Sequence, residues 1–598
     1  MEEMVLENSY WKRYQTMRTS RRRFLGTAGA AGVGVAGLAL AGCGDDDDGK
    51  NDASILATPT AGANATPTPS DVFAGHKKGG TYRNYAAGDP PTIDPFGSTS
   101  FQTKAFVCAS YSRLFRWKTG APDGGGEVKP EGDLVQSYEI SPDGLKWTLK
   151  LKAAKFHDIA PVSGRPVTTD DVKYSWGRFT DVKYGNSGNA KFVDKVEYPD
   201  ASTLVFTLKA PNAGFREIFT DTTNLIIMPA EADGKFEATK QMIGSGPWIF
   251  QSYVPSQGAK YKRNPEWFDK GPQGFPLMDA VDYSIIPEYA AAMAQFRAGN
   301  LEALAPQAQD VVDLKKAIPN GSYTYYTSPQ MNMFFFDNDP AAPWNKDPRV
   351  RQAISMSIDR DAVTELLYNL KKLQAGGIDV KGVWNNAVPA GMPRWWLDPQ
   401  SKDQGDSAKF FKYDPAEAKK LLAAAGYADG FSAPFIYAVP NYGPTFATSA
   451  EAHDAFLKAV GVKTTAEPQD YTSKYFPQTW SLRNFKGIVY ALETGFNDVG
   501  GYPTRWFTDN PLNHGFINDP ELVKLTAQQQ AESDEVKRKA ILWDIQRKNA
   551  EKMHYIPSQW GAGSVWTALQ PWVKNPKKVA NNGYGGWTET APYLWLDK

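Results

Sequence analysis

The chain has 598 residues, which is enough for three or four domains of about 100–200 residues each. Its 41% hydrophobic content excludes a disordered protein, and its mean hydropathy of −0.47 excludes a protein that crosses the membrane many times. Lysine plus arginine equals aspartate plus glutamate at 66 each, so no excess of positive charge favours binding of nucleic acid.

The N-terminus carries two export motifs in succession. Residues 20–25 read SRRRFL and precede an apolar run at 26–41 that is too short and too weakly apolar for a stable membrane span. The first motif resembles a twin-arginine export signal, and the Leu-Ala-Gly-Cys at 40–43 resembles a lipoprotein signal whose cysteine is acylated. We therefore expect a signal peptide at 1–42 and a lipid anchor on Cys43. The alternative is a cytosolic protein with a basic start and an apolar helix.

Residues 43–78 are predicted to form a flexible linker. The segment contains four consecutive aspartates at 45–48 and is then rich in alanine, threonine and proline. Such a composition buries too little apolar surface to offset the entropy of ordering the chain. We expect the linker to hold a globular body away from a membrane surface.

From Gly79 onward the sequence mixes strand and helix signals. Residues 145–151 alternate apolar and polar side chains, which predicts a strand with one buried face. The Asp-Gly pair at 143–144 just before it predicts a hairpin turn. Further strands are predicted at 203–208 and 248–250.

Three helices are predicted to begin at Asp-Pro pairs, at 347–348, 414–415 and 519–520. In each pair the aspartate can cap the helix and the proline can occupy its first turn. The first of these helices is expected to continue through Leu366. A fourth helix is predicted at 534–552, with four side chains at helical spacing. These four are Val536, Ala540, Trp543 and Ala550.

Motifs of catalytic and metal sites are mostly absent from the sequence. The five histidines are too far apart for a short metal-binding motif, and neither a nucleophile elbow nor a Walker loop occurs. Only Cys108 would remain as a free thiol, and its apolar neighbours predict that it is buried and unreactive. Paired carboxylates for glycoside hydrolysis are a spatial feature, so a secreted carbohydrate-active hydrolase stays an alternative.

Further motifs run through the body from about residue 79 to the C-terminus. They are GGTY at 79–82, YEISPDGLKWT at 138–148, GSGPW at 244–248, RNPEWF at 263–268, DPRVRQAI at 347–354 and YDPAEAKK at 413–420. Their identity and order resemble family 5 of the extracytoplasmic solute-binding proteins of ABC importers, the class that includes oligopeptide- and dipeptide-binding proteins.

The resemblance implies an α/β fold with two lobes, of the periplasmic-binding-protein type (class II, three domains), and a ligand cleft between the lobes. The main domain of lobe I would combine 79–122, 230–329 and 562–598, and a small β-rich domain of lobe I would span 123–229. Lobe II would span 330–561.

The resemblance also implies a receptor without catalysis or cofactor. It would capture an oligopeptide or a similar small organic solute by lobe closure and deliver it to a membrane permease and its ATPase. We expect a monomer without nucleic-acid partners, held outside the cell membrane by its lipid anchor. Where the cell has an outer membrane, this location is the periplasmic space.

Ligand contacts are implied by the same resemblance. In the peptide-binding relatives an aspartate that follows a glycine and an aromatic residue holds the peptide's amino terminus, and the matching stretch here is 495–503. Phe replaces Trp in this stretch and the carboxylate is displaced by one position, so an oligosaccharide remains an alternative ligand. The expected contacts are Thr99, Phe101, Tyr184, Tyr471, Glu493, Phe496, Asn497 and Asp498.

Overall fold

The computed structural model describes residues 75–118, 129–439, 442–559, 565–575 and 586–598. The predicted signal peptide, Cys43 and the linker up to residue 74 lie outside the described residues. All described residues belong to one unit, Thr66–Lys598.

The strands occur throughout the described chain. They are β1 (Thr81–Ala86), β2 (Ser112–Arg113), β3 (Phe115–Trp117), β4 (Pro130–Gly132), β5 (Val135–Ile140), β6 (Lys146–Leu151), β7 (Val193–Asp200), β8 (Thr203–Leu208), β9 (Ile226–Ile227), β10 (Trp248–Val254), β11 (Gly258–Arg263), β12 (Ala280–Ile285), β13 (Ala303–Leu304), β14 (Ser322–Tyr326), β15 (Met331–Phe336), β16 (Phe431–Val439), β17 (Val462–Asp470), β18 (Ile488–Glu493), β19 (Ile556–Pro557), β20 (Val565–Leu569), β21 (Val573–Lys574) and β22 (Trp595–Leu596).

The α-helices are concentrated after residue 340. They are α1 (Phe101–Val107), α2 (Thr169–Thr180), α3 (Phe215–Thr220), α4 (Tyr289–Arg297), α5 (Val311–Ala317), α6 (Pro343–Lys346), α7 (Pro348–Met356), α8 (Arg360–Tyr368), α9 (Leu370–Ala375), α10 (Pro415–Ala424), α11 (Gly443–Ala459), α12 (Gly501–Phe507), α13 (Pro520–Ala531), α14 (Glu535–Lys552) and α15 (Trp587–Thr590). Short 3₁₀ turns occur at Ser187–Ala190, Ala230–Ala232, Ala308–Asp310, Lys402–Phe411 and Ala591–Tyr593, and a π-helical segment spans Tyr471–Ser481.

Three larger sheets organise these elements. The first has the order β1-β12-β11-β10, with β1 and β12 parallel and the other pairs antiparallel. The second, β5-β6-β8-β7, is antiparallel throughout. The third, β17-β16-β18-β15-β19, is mixed, because β16 runs parallel to β17 and β18 whereas β15 is antiparallel to β18 and β19.

The C-terminal part of the chain pairs with an earlier part. Strand β20 lies between β13 and β14 in a three-stranded sheet, with Leu569 opposite Ala303 and Trp566 opposite Tyr325. One large hydrophobic cluster joins the first two sheets, and a second surrounds the third sheet. In the described part of the chain, no helix combines the length and the apolar character needed to cross a bilayer.

The predicted hairpin and its second strand are confirmed. Strand β6 buries Trp147, Leu149 and Leu151 on one face, as its alternating sequence predicts. Ile140 lies opposite Trp147, and Gly144 in the connecting turn has a φ of +70°, which glycine adopts without steric cost.

The three predicted helix starts are also confirmed. The side chain of Asp347 accepts from the N–H of Arg349 at 2.8 Å, and that of Asp414 accepts from Glu417 at 2.9 Å. Asp519 caps α13 in the same way. Each carboxylate satisfies an N–H that the helix itself leaves unpaired.

The predicted extension of the first of these helices to Leu366 is wrong. The chain forms two helices, α7 and α8, separated by a break after Met356. Asp359 begins the second helix, because its side chain accepts from the N–H of Ala362 at 2.9 Å. A capping aspartate competes with continuation of the preceding helix.

The helix predicted at 534–552 is confirmed as α14, but of its four predicted side chains Ala550 alone is buried. Val536 is 80% exposed and Ala540 is exposed as well. The side chains that α14 buries are Arg538, Leu542, Ile545, Gln546, Asn549 and Ala550. The buried Arg538 on this face is possible because it pairs with the Asp498 carboxylate of the site described next.

Candidate functional site

A cavity of about 660 Å³ lies between two separate parts of the chain. One wall comes from residues 99–224, and the opposite wall comes from Gln330 and residues 494–530. The lining is dominated by amides and hydroxyls. It comprises Thr99, Phe101, Asn186, Gly188, Asn189, Phe192, Asn212, Ile218, Asp221, Thr223, Asn224, Gln330, Thr494, Gly495, Phe496, Asn497, Asp498, Gly500, Gly501, Thr504, Arg505, Asn510, Leu512 and Gln530.

The first wall is ordered by side-chain hydrogen bonds after helix α3. Asp221, directly after the helix, accepts from both the backbone N–H and the hydroxyl of Thr223 at 2.7 Å. The Asn186 amide donates to the Thr223 hydroxyl at 2.8 Å, and the Asn189 amide donates to Asn224 Oδ1 at 2.9 Å. These bonds fix the polar groups before any ligand arrives, which lowers the entropy cost of binding.

The second wall is the loop between strand β18 and helix α12. The hydroxyl of Tyr502 accepts from the N–H of Phe496 at 3.2 Å and donates to the carbonyl of Pro329 at 2.5 Å. The rings of Phe496 and Tyr502 meet edge to face at 4.8 Å between centroids. The Arg505 guanidinium lies 4.4 Å from the centre of the Phe496 ring, so Phe496 is held on both sides.

Glu493 is buried behind this loop. Its carboxylate accepts from Arg505 Nη1 at 2.5 Å and from the Trp506 indole N–H at 3.0 Å. Burial raises the pKa of Glu493, and Arg505 and Trp506 oppose the rise. Glu493 therefore neutralises and orients Arg505, which lines the cavity.

Asp498 lies where the two walls meet. Its Oδ1 accepts from Arg538 Nη2 at 2.7 Å, and Arg538 also donates to Gln529. Gly214 of the first wall packs against it so closely that an added Cβ would lie 2.3 Å from the carboxyl carbon. The charge of Asp498 is therefore already paired within the protein.

Two further contacts join the walls beside Asp498. The N–H of Ala213 donates to the carbonyl of Gln530 at 2.8 Å. Arg216 lies 3.8 Å from Glu535, which also pairs with Arg394. Glu217 is buried at this junction, and burial raises its pKa while Arg538 opposes the rise. We name this junction of residues 213–217, Asp498, Gln530, Glu535 and Arg538 the wall contact.

Five of the eight residues expected to contact ligand line this one cavity: Thr99, Phe101, Phe496, Asn497 and Asp498. The other three, Tyr184, Tyr471 and Glu493, are not among the lining residues of the cavity.

The two tyrosines take part in packing instead. Tyr184 is buried, donates to the carbonyl of Thr223 at 2.5 Å and accepts from Lys104 Nζ at 3.1 Å. Tyr471 packs edge to face on Tyr442 at 5.3 Å between ring centroids. An aromatic residue in a polar loop is compatible with either role, so the sequence alone does not separate them.

Sequence reasoning missed Asp221, Arg505 and the asparagines of the first wall. The available signal was the polar run DTTN at 221–224, which directly follows the short helix α3. Burial raises the pKa of Asp221, and the bonds from Thr223, the nearby Asn497 side chain and Arg113 oppose the rise.

Cys108 is partly buried, and burial raises the pKa of its thiol to about 11, which agrees with the predicted low reactivity. Among the residues that the structure describes, no three His, Cys, Asp or Glu side chains are grouped closely enough to hold a metal ion. The cavity offers hydrogen bonds, a few charges and the rings of Phe101, Phe192 and Phe496, which together suit binding of a polar organic molecule.

The fold and the cavity together define a binding protein of mixed α/β architecture. Residues 129–514 match the family described as bacterial extracellular solute-binding proteins, family 5 Middle. This chain belongs to that family. It is accordingly an extracytoplasmic substrate-binding protein of an ABC importer and not an enzyme.

Known relatives agree with this assignment and differ in the solutes that their names give. The chain is 26% identical over 477 residues to a Brucella ovis protein named as an ABC transporter peptide-binding protein, covering 75% of this chain and 85% of the relative. It is 27% identical over 395 residues to heme-binding protein A of Haemophilus influenzae, covering 61% of this chain and 66% of the relative.

Solved structures confirm the predicted fold class. The crystal structure of the ABC transporter substrate-binding protein CtaP from Listeria monocytogenes superimposes with a TM-score of 0.69 at 24% identity. The match covers 87% of this chain and 100% of the CtaP chain.

Proposed function

We propose that this chain is the lipid-anchored receptor of its importer and captures an oligopeptide or a similar small organic solute in the cavity between the two walls. The main support for this proposal is the cavity, whose volume of about 660 Å³ falls in the range of small-molecule sites. The receptor acts as a monomer and delivers its solute to the permease and ATPase.

Capture works by stabilising the conformation in which the walls touch. A solute that contacts both walls binds this conformation more tightly than an open one, and the difference in affinity shifts the population towards it. The hydrogen bond from Ala213 to Gln530 contributes in the same direction. No bond of the solute is made or broken.

An oligosaccharide is the second candidate solute. The lining is rich in asparagine, glutamine and threonine, and three phenylalanine rings border it. Amides exchange hydrogen bonds with sugar hydroxyls, and aromatic rings pack on the apolar faces of sugars. Asp498, which lies one position from the place of the peptide-anchoring aspartate, is paired with Arg538.

Capture of unaltered solute is the first prediction. The purified mature chain is incubated with a casein digest and, separately, with a mixture of cello- and malto-oligosaccharides, and bound molecules are identified by native mass spectrometry. Addition of a retained solute at about 100 times its Kd should stabilise the fold by about 2.7 kcal/mol and raise Tm. The solute should be recovered unchanged after hours of incubation. Retention of nothing from either mixture, or recovery of a cleaved solute, would contradict the proposed function.

We also propose that 1–42 is removed and that Cys43 carries the lipid. The Leu-Ala-Gly-Cys motif at 40–43 and the extracytoplasmic location of the family support this. Replacing Cys43 with alanine should move the exported protein from the membrane fraction to the soluble fraction, because acyl chains supply the membrane affinity. The matched control, Cys108→Ala, should stay with the membrane. A Cys43→Ala protein that remains membrane-bound would refute the anchor.

For the domains, we infer the layout that the sequence predicts. A main domain of lobe I at 79–122, 230–329 and 562–598 is consistent with the first sheet and with the pairing of β20 to β13 and β14. A small domain at 123–229 is consistent with the antiparallel sheet of β5 to β8. Lobe II at 330–561 is consistent with the third sheet.

A further inference from the structure

We propose that Asp221 is the carboxylate that anchors the captured solute, and that the solute presents to it an end rich in N–H or O–H donors. Such an end is the ammonium group of a peptide or the neighbouring hydroxyls of a sugar. This inference deepens the proposed function and rests on it.

The charge pairing within the cavity singles out Asp221. Three charged residues line the cavity: Asp221, Asp498 and Arg505. Asp498 is paired with Arg538 at 2.7 Å, and Arg505 is paired with Glu493 at 2.5 Å. Within the described ranges, Asp221 has no lysine or arginine nitrogen within 4.0 Å. It is therefore the charged group of the lining that still has capacity for a ligand.

Its geometry leaves one oxygen for the solute. Both bonds from Thr223 end on Oδ1, so Oδ2 remains as an acceptor. Asn186 holds the Thr223 hydroxyl in place and thereby fixes the orientation of the carboxylate. A carboxylate held in one orientation loses little further entropy when a ligand binds.

Burial raises the pKa of Asp221, and two buried cations oppose this rise without forming an ion pair with it. Lys104 and Arg113 both interact electrostatically with Asp221. Lys104 instead donates to the Tyr184 hydroxyl at 3.1 Å, and Arg113 pairs with Glu589. They favour the anionic form of Asp221 and take up neither of its oxygens in an ion pair.

The opposite wall supplies the second half of the anchor. Asn497 is only 5% exposed, lines the cavity and approaches Asp221 closely enough to lower the pKa of its carboxyl. Neither amide atom of Asn497 completes a hydrogen bond of normal geometry within the protein. A solute that donates to Asp221 and also bonds to Asn497 would satisfy both groups and couple capture to the meeting of the walls.

The test compares Asp221→Asn with the wild type and with Asp194→Asn. Asp194 lies exposed on strand β7 and provides a matched loss of one negative charge away from the cavity. The probes are the casein digest, the same digest with its amines acetylated, and the oligosaccharide mixture. Retained solutes are identified by native mass spectrometry and their Kd values are measured by calorimetry.

We expect Asp221→Asn to weaken binding of the retained solute at least about tenfold, because a charge-assisted hydrogen bond is lost, and Asp194→Asn to bind as the wild type does. If peptides are retained from the untreated digest and not from the acetylated one, the solute binds through an ammonium group. If oligosaccharides are retained, it binds through hydroxyls. Either result supports the anchor when Asp221→Asn weakens that binding. Unchanged affinity in Asp221→Asn, or equal retention of acetylated and untreated peptides, overturns it while the receptor function stands. Retention of nothing by the wild type overturns the function as well.

A second variant guards against a folding defect. Thr223→Val keeps the carboxylate but removes the hydroxyl that orients it. If the melting temperature of Asp221→Asn without solute is lower than that of the wild type, Thr223→Val should still weaken binding severalfold with an unchanged melting temperature. Binding by Thr223→Val at wild-type affinity would then overturn the proposal.

Discussion

Replacing Arg538 with methionine is expected to destabilise the protein by about 3 kcal/mol, because it leaves buried negative charge without its cation. Arg538 is 3% exposed and donates to Asp498, which is 13% exposed. It also lowers the pKa of the buried Glu217, which Asp498 raises. Methionine fills a similar volume, so the loss would come mainly from the charges and hydrogen bonds.

Urea denaturation measures this change, with Lys537→Met as the control. Lys537 is the neighbouring residue of α14 but is exposed, so its replacement should change the free energy of unfolding by less than about 0.5 kcal/mol.

The destabilisation should shrink as the pH falls. Burial already holds the pKa of Glu217 above its ordinary value, and removal of Arg538 raises it further. A carboxyl whose pKa is higher in the folded state binds its proton more tightly there, so acidification through that pKa restores stability. A destabilisation that is independent of pH, or that grows on acidification, would contradict this account of Arg538.

Replacing Gly214 with valine is expected to weaken solute binding by about 5- to 150-fold without a comparable loss of stability. A Cβ at this position would lie 2.3 Å from the carboxyl carbon of Asp498, which Arg538 holds in place. Overpacking of this kind costs about 1–3 kcal/mol. The cost falls on the conformation in which the walls touch, and apparent affinity decreases with the population of that conformation.

Calorimetric Kd values for the solute identified above measure the effect. Gly177→Val is the control, because Gly177 is exposed on helix α2 and an added Cβ would meet nothing within 4 Å. The double variant Gly214→Val with Asp498→Ala should regain part of the affinity, since it removes the clash. Wild-type affinity in Gly214→Val would show that capture does not need the wall contact.

Local signals predicted much of the secondary structure. The caps of α10 and α13 and the alternation of β6 depend on residues within a few positions of each other, so the sequence specifies them directly. The prediction of one continuous helix from Asp347 to Leu366 was wrong because the cap at Asp359 was not recognised. The prediction of the buried face of α14 failed because Arg538 is buried through its ion pair with Asp498, which lies far away in the sequence.

The candidate site was predicted in part for the same reason. Phe496, Asn497 and Asp498 belong to a motif that the family resemblance locates, whereas Asp221 lies in a short polar run with no motif. Tyr184 and Tyr471 resemble cavity residues in sequence but pack against other side chains and do not line the cavity. Aromatic residues serve packing and binding equally well, and sequence alone does not distinguish these roles.

The sequence by itself determined the family and the fold class, because ordered motifs and local patterns carry that information. The tertiary structure alone decided which carboxylates form ion pairs within the protein. Asp498 meets Arg538 from 40 positions away, and it meets Gly214 from the opposite wall. Charge pairing depends on distance in space and on burial, and neither quantity can be read from positions along the chain.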